Sequence, residues 1–162
     1  MRSFIRLVLV CGVLTALSSV STKAQERLFR STMIGSNPGE IIGGVNSGGL
    51  AWQVSFSSTS LSEPQRNIFR LSVHLEGLVL VSTGKSPVSK IAASLVCGGS
   101  GGAVVSTTDT FGLTADGNSD FDDEISIGTN CLAPVVIVRA VGANGPGNFI
   151  AASGVQLTLF PE

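Results

Sequence analysis

Three groups of side chains have the residue types that chemistry needs. The first is His74, the only histidine in the 162-residue chain. A Ser-His-Asp arrangement would set it against a nucleophile on a sharp turn and against a carboxylate. No G-x-S-x-G occurs, and Gly98-Gly-Ser100-Gly-Gly102 shares only its glycine content, so it reads as a flexible loop. His74 alternates with Arg70 and Glu76 on one strand face, which reads as surface. The second group is acidic: Asp116, Asn118 and Asp120 match the D-x-N-x-D opening of a calcium loop, followed by Asp122 and Glu124. Such a loop wants Gly at its sixth position and Glu at its twelfth, where this chain has Phe121 and Ile127. A solvated turn and strand is the plainer reading. The third group is Cys97 and Cys131, which stand too far apart in sequence for a redox C-x-x-C pair.

The redox state of those cysteines follows from the first 24 residues. Arg2 and Arg6 give a positive start, residues 7–17 are apolar but too short to span a bilayer, and Thr22 and Ala24 have signal-peptidase spacing. A signal peptide over 1–24 predicts a secreted or periplasmic chain beginning near Gln25, in which Cys97 and Cys131 pair. A loop of about 34 residues closed in this way is worth roughly 3–4 kcal/mol on the chain-entropy model. Cys11 lies inside the apolar run behind Val10, which does not fit a lipoprotein signal. With paired thiols and one histidine, zinc and copper lack ligands, and no cofactor is expected.

Composition narrows the partners. Removal of Arg2, Arg6 and Lys23 with the signal leaves 7 basic residues against 11 acidic, a net charge of −4. Without a basic stripe, nucleic-acid binding is not expected. No later apolar stretch reaches the roughly 20 residues of a transmembrane helix. No asparagine begins an N-x-Ser/Thr acceptor, which fits a bacterial secreted protein. Tyr is absent and Trp occurs once, a thin aromatic supply for stacking on sugars, so Trp52 and the phenylalanines are assigned to the core.

The elements that position these residues are strands. The chain has 20 glycines and many Val, Ser, Thr and Ile residues, with no helical spacing of good helix formers. Residues 25–49 read as flexible or irregular, apart from a short edge strand at Ile41 and Ile42. From Leu50 the alternation Leu50, Trp52, Val54, Phe56 predicts a strand, and 58–66 a polar loop. Residues 67–81 form the longest strand candidate, interrupted at Gly77 by a bulge or a close backbone approach. Ile91, Ala93, Leu95 and Cys97 make the next inward row. Residues 103–127 read as a hairpin in which a three-residue loop, Asp116 to Asn118, sets Leu113 opposite Phe121 and leaves Asp120, Asp122 and Glu124 in water. Residues 132–141 are apolar on both faces and central; strands at 148–153 and 155–160 follow. About seven strands predict an all-β fold over 50–162: an antiparallel, immunoglobulin-like β-sandwich with one inter-strand disulfide, or secondarily a small barrel.

From Phe69 to Gly154 the order of motifs resembles a group of small, uncharacterised secreted bacterial proteins. The matching pieces are Gly77-Leu-Val-Leu80, a strand ending in Cys97, Phe111-Gly-Leu-Thr-Ala-Asp-Gly117, Cys131-Leu-Ala-Pro-Val135 and Asn148-Phe-Ile-Ala-Ala-Ser-Gly154. The resemblance implies a secreted all-β domain with a disulfide and brings no catalytic residue or ligand.

These readings together predict an exported, non-enzymatic binding or structural module that meets a protein or glycan partner. The candidate surfaces are the loops at 58–66, 82–88, 98–102 and 142–147. A calcium-dependent adhesion or carbohydrate-binding module is the alternative, and a secreted hydrolase built on His74 the second.

Overall fold

The computed structural model describes residues 26–65, 68–128 and 130–154. The signal peptide expected at 1–24 and the strand expected at 155–160 lie outside the described residues. The described chain is all-β. In order the strands are β1 (Glu26–Ser31), β2 (Met33–Gly35), β3 (Ile41–Ile42), β4 (Val45–Asn46), β5 (Trp52–Gln53), β6 (Phe56–Gln65) and β7 (Ile68–Glu76). They continue with β8 (Val79–Leu80), β9 (Lys90–Cys97), β10 (Ala103–Thr107), β11 (Phe111–Gly112), β12 (Ser119–Ile125), β13 (Val135–Gly142) and β14 (Gly145–Ser153). One 3-10 turn, Gly99–Gly101, interrupts them.

Two antiparallel sheets dominate. One has the order β1-β6-β7-β12, and the other β10-β9-β13-β14-β2, with β11 also paired to β9. Alternation decides which side chains meet between them. Leu61, Leu71, Val73, Leu75, Phe121 and Ile125 of the four-stranded sheet share one buried cluster with Ile91, Ala93, Leu95, Val136, Val138 and Ala151 of the other. The two sheets therefore pack face to face, as in a sandwich. A second cluster of Val96, Ile137, Phe149 and Ala152 lies on the far side of the larger sheet, against Ile42, Val45 and Val104. The small β3–β4 hairpin contributes to this cover, tied down by Gly43 N–H donating to the Ser100 carbonyl at 2.9 Å. Strands β9, β13 and β14 are thus buried on both faces, which explains why 132–141 reads as an unbroken apolar run.

Several sequence expectations change. Of the segment 25–49, expected to be flexible or irregular, the described residues 26–49 carry β1 to β4. The segment 58–66 is not a loop, because residues through Gln65 form β6, the longest strand. Its polar composition hides an inward row of Ser57, Thr59 and Leu61, all buried. Buried hydroxyls are tolerated when hydrogen-bonded. Ser57 Oγ accepts from Met33 N–H at 2.8 Å and donates to the Met33 carbonyl at 3.0 Å, and Thr59 donates to the Ser72 carbonyl at 3.2 Å. The strand expected from Leu50 to Ser57 shrinks to β5. Trp52 is buried as assigned, but Leu50 and Phe56 are exposed, because the inward register is reset before β6.

The hairpin at 103–127 is also corrected. Strand β11 pairs with β9, while β12 pairs with β7, placing Phe121 opposite Val73 rather than Leu113. The chain crosses between sheets at Thr114–Asn118. Phe111 and Phe121 then meet across the core as stacked rings, 4.2 Å between centroids. Gly117 makes that crossing possible: its φ is +78°, and a Cβ there would collide with the Leu78 backbone. Gly77 shows the expected close approach, with φ +67° and no room for a Cβ beside the Ser55 side chain.

Hydroxyls complete the ladders where they are irregular. Thr108 Oγ1 accepts from Ala93 N–H at 3.0 Å and Ser153 Oγ from Val136 N–H at 2.8 Å, as Ser57 does for Met33. Ser57→Ala strands both polar groups of Met33. It is expected to lower unfolding free energy by about 1–3 kcal/mol, whereas Ser58→Ala, on the solvent side, should change it by less than about 0.5 kcal/mol. Denaturant melts of the two variants check this.

Candidate binding surface

The cysteines form a disulfide, with Cα atoms 5.0 Å apart. Cys97 ends β9 as expected, but Cys131 lies in the connection that carries the chain from β12 to β13, not at a strand start. The bond therefore anchors the crossover between sheets. Gly98 N–H donates to the Leu132 carbonyl at 2.7 Å and Gly99 N–H to the Ala133 carbonyl at 3.0 Å, so the glycine loop 98–102 packs against this connection.

The acidic segment sends the three residues that match a calcium-loop opening in different directions. Asp116 pairs with Lys85, the Asn118 side-chain oxygen accepts from Gly77 N–H at 3.0 Å, and Asp120 lies 3.6 Å from His74 Nδ1. Among the described residues no group of three or more His, Cys, Asp or Glu side chains is placed to hold a metal ion. The Lys85 ammonium holds the Asp116 carboxyl below its ordinary range, by hydrogen bond first and charge attraction second. Any stabilisation from this exposed pair is present at neutral pH and is lost as pH falls through the lowered value; solvent keeps it small.

His74 lies on the open face of β7. Its Nε2 is 3.2 Å from Glu76 Oε1 and its Nδ1 faces Asp120, so both ring nitrogens look at carboxylates. A general base needs one nitrogen on the nucleophile's proton. Phe56, an exposed aromatic, packs edge-on to the imidazole with 5.7 Å between centroids.

His74 belongs to a larger pattern. Cross-strand register lays out rows over the solvent face of the four-stranded sheet: Arg30, Ser60, Ser72, Asp122 in one, and Arg27, Ser62, Arg70, Glu124 in the next. A third row runs Ser58, His74, Asp120. Residues directly opposite share a face, so each row is a line of neighbouring side chains. The β12 edge is acidic, as expected from Asp120, Asp122 and Glu124. Arg70 leans towards it, 3.4 Å from Glu124 and 3.8 Å from Asp122. The β1 edge carries Arg27 and Arg30. Between the edges the side chains shorten to serine, leaving a polar depression of about 240 Å³ lined by Arg27, Ser60, Ser62 and Ser72. Short hydroxyls offer donors and acceptors, and Arg27 a planar five-donor fork.

Sequence reasoning does not find this surface, because the polar composition of β1 and β6 reads as irregular chain and loop. The signal was present: Ser58, Ser60 and Ser62 alternate with Ser57, Thr59 and Leu61 at strand period. The loops favoured instead are braced. Lys85 bonds Asp116 across 82–88, and Arg139 Nε donates to the Gly147 carbonyl at 2.7 Å within 142–147. Burial lowers the Arg139 pKa from its ordinary value.

No protein-family model matches this chain, and neither a curated protein nor a solved structure matches it. Among the described residues no helix is long and apolar enough to cross a membrane.

With Asp116, Asn118 and Asp120 engaged separately, titration calorimetry with calcium to millimolar concentration is expected to give no binding heat. A saturable heat abolished by Asp120→Asn would reverse that assignment.

Proposed function

We propose that this chain is an exported, non-enzymatic β-sandwich domain of immunoglobulin-like type, acting as a binding or structural module at the cell surface, in the periplasm or outside the cell. The disulfide fits an oxidising compartment. The observation that carries the reading is the solvent face of the four-stranded sheet, where a serine-floored depression lies between an arginine edge and an acidic edge, with exposed Phe56 beside His74.

That surface suits a protein or glycan partner. Hydroxyls and guanidinium can pair with sugar hydroxyls, carboxylates or peptide groups, and an aromatic edge adds apolar contact. A negative chain with an acidic β12 edge is a poor match for a phosphate backbone. The two carboxylates flanking His74 support a non-catalytic role for it, because they occupy the directions a nucleophile would need.

The test is a substitution that fills the depression without touching the core. Ser60→Trp and Arg27→Glu should each keep the native melting curve while reducing retention of the glycan that the native chain selects from an array of neutral and acidic glycans, or of the protein it retains in a pull-down, by about tenfold or more, the 1.4 kcal/mol scale of one lost contact. Binding unchanged in both variants would remove this face from the interface.

A further inference from the structure

Strand β1 carries one extra residue against β6. Arg27 lies opposite Ser62 and Phe29 opposite Leu61, so β1 advances by two residues where β6 advances by one; Arg30 then lies opposite Ser60. In a regular strand, residues three apart point to opposite faces. The bulge at Leu28 cancels that difference. Ser60 and Ser62 share the solvent face of β6, so their partners Arg30 and Arg27 share it as well.

Both arginines are exposed, and like charges in neighbouring rows repel. Among the described residues neither Arg27 nor Arg30 belongs to an ion pair, whereas Arg70, in the same row as Arg27, is held by Glu124 and Asp122. The floor beside them is also unengaged. Ser60 and Ser72 lie opposite each other, half-buried, and among the described residues neither hydroxyl has a protein hydrogen-bond partner. The hydroxyls of Ser57 and Ser153, by contrast, bond the backbone.

The face therefore has a direction. Uncompensated guanidiniums stand at its β1 end and carboxylates at its β12 end, with two strand spacings, about 10 Å, between β1 and β7. An anion is drawn to the first end and repelled from the second, where Ser72 and Asp122 can accept hydroxyl protons. A planar carboxylate matches a guanidinium fork by two parallel hydrogen bonds. At about 240 Å³ the depression is smaller than the roughly 300–1,000 Å³ of sites that enclose a whole small molecule, so it suits one ring of a longer chain.

We propose that this depression takes a uronic-acid unit of an acidic glycan, with its carboxylate on Arg27 and Arg30 and its hydroxyls on Ser60, Ser72 and Asp122. The proposal rests on the reading of this face as a binding surface and gives that surface its ligand class. A peptide bearing Asp or Glu would meet the same arginines, but the centre of a protein interface is apolar, and the floor here is hydroxyl. Edge bulges and edge charges also discourage strand pairing. That role needs outward charge alone, not two forks aligned over unbonded hydroxyls.

The test is retention on an array of galacturonate, glucuronate and mannuronate oligosaccharides, each beside its carboxyl-reduced form, with sulfated oligosaccharides and a poly-Asp peptide alongside. The native chain is expected to retain at least one uronate about tenfold or more better than its reduced form, the sulfated sugars and the peptide. Arg27→Gln and Arg30→Gln should each lose about tenfold of that retention. Lys90→Gln, the same charge change at an exposed position of the other sheet, should lose none. Retention of no uronate, equal retention of acid and reduced forms, or equal loss in Lys90→Gln would overturn the proposal. So would arginine variants that self-associate with retention unchanged, which would make the charges an edge guard. If a neutral glycan, a sulfated sugar or a protein is retained instead and Ser60→Trp abolishes it, the ligand class fails and the binding face stands. Retention that Ser60→Trp leaves unchanged removes both.

Discussion

One serine hydroxyl lets a single strand serve two sheets. Where β1 passes into β2, Met33 has no backbone partner on its β6 side, and Ser57 supplies both an acceptor and a donor. Without that contact two backbone groups would be buried unpaired at the junction, a penalty comparable to several ordinary hydrogen bonds. With it, the chain pairs to β6 on one edge through β1 and to β14 on the other through β2. The placement of β1 beside β6, and with it the arginine edge of the polar face, goes with this crossing.

The second crossing is covalent. From β12 in one sheet the chain must reach β13 in the centre of the other, and Cys131 fixes the connection to the end of β9. The energetic value of such a bond is the entropy it removes from the unfolded chain, and both cysteines pack against the core between the sheets. The exposed polar side chains lie on the opposite face of the four-stranded sheet. Across β1, β6, β7 and β12 the row Arg30, Ser60, Ser72, Asp122 runs from arginine through serine to carboxylate, while the adjoining rows place Arg70 and His74 on β7 beside the acidic edge.

Much of the fold is legible in the residues. The apolar alternation of β7, the two-sided apolar run of β13 and the close approach at Gly77 follow from patterns a few residues long, and the pairing of Cys97 with Cys131 follows from their being the two cysteines beyond the first 24 residues. What fails is the reading of polarity as loop. Ser57 and Thr59 occupy core positions because a backbone group waits for each hydroxyl, and only the fold reveals that group. The register of β12 fails for a related reason: matching Leu113 to Phe121 satisfies local burial, but β7 offers Phe121 a strand partner and Phe111 meets it across the core instead. The depression at Ser60 exists only through the pairing of β1 with β6, whereas His74 and the acidic turn have conspicuous residue types whose polar groups engage one another.

The pairing of β12 with β7 separates a two-sheet sandwich from a local hairpin most cleanly, and nuclear Overhauser contacts between backbone protons measure it. Phe121 should show cross-strand contacts to Val73, with only ring-proton contacts to Phe111. Strong backbone contacts from Phe121 to Leu113, with none to Val73, would contradict the two-sheet arrangement on which the polar face rests.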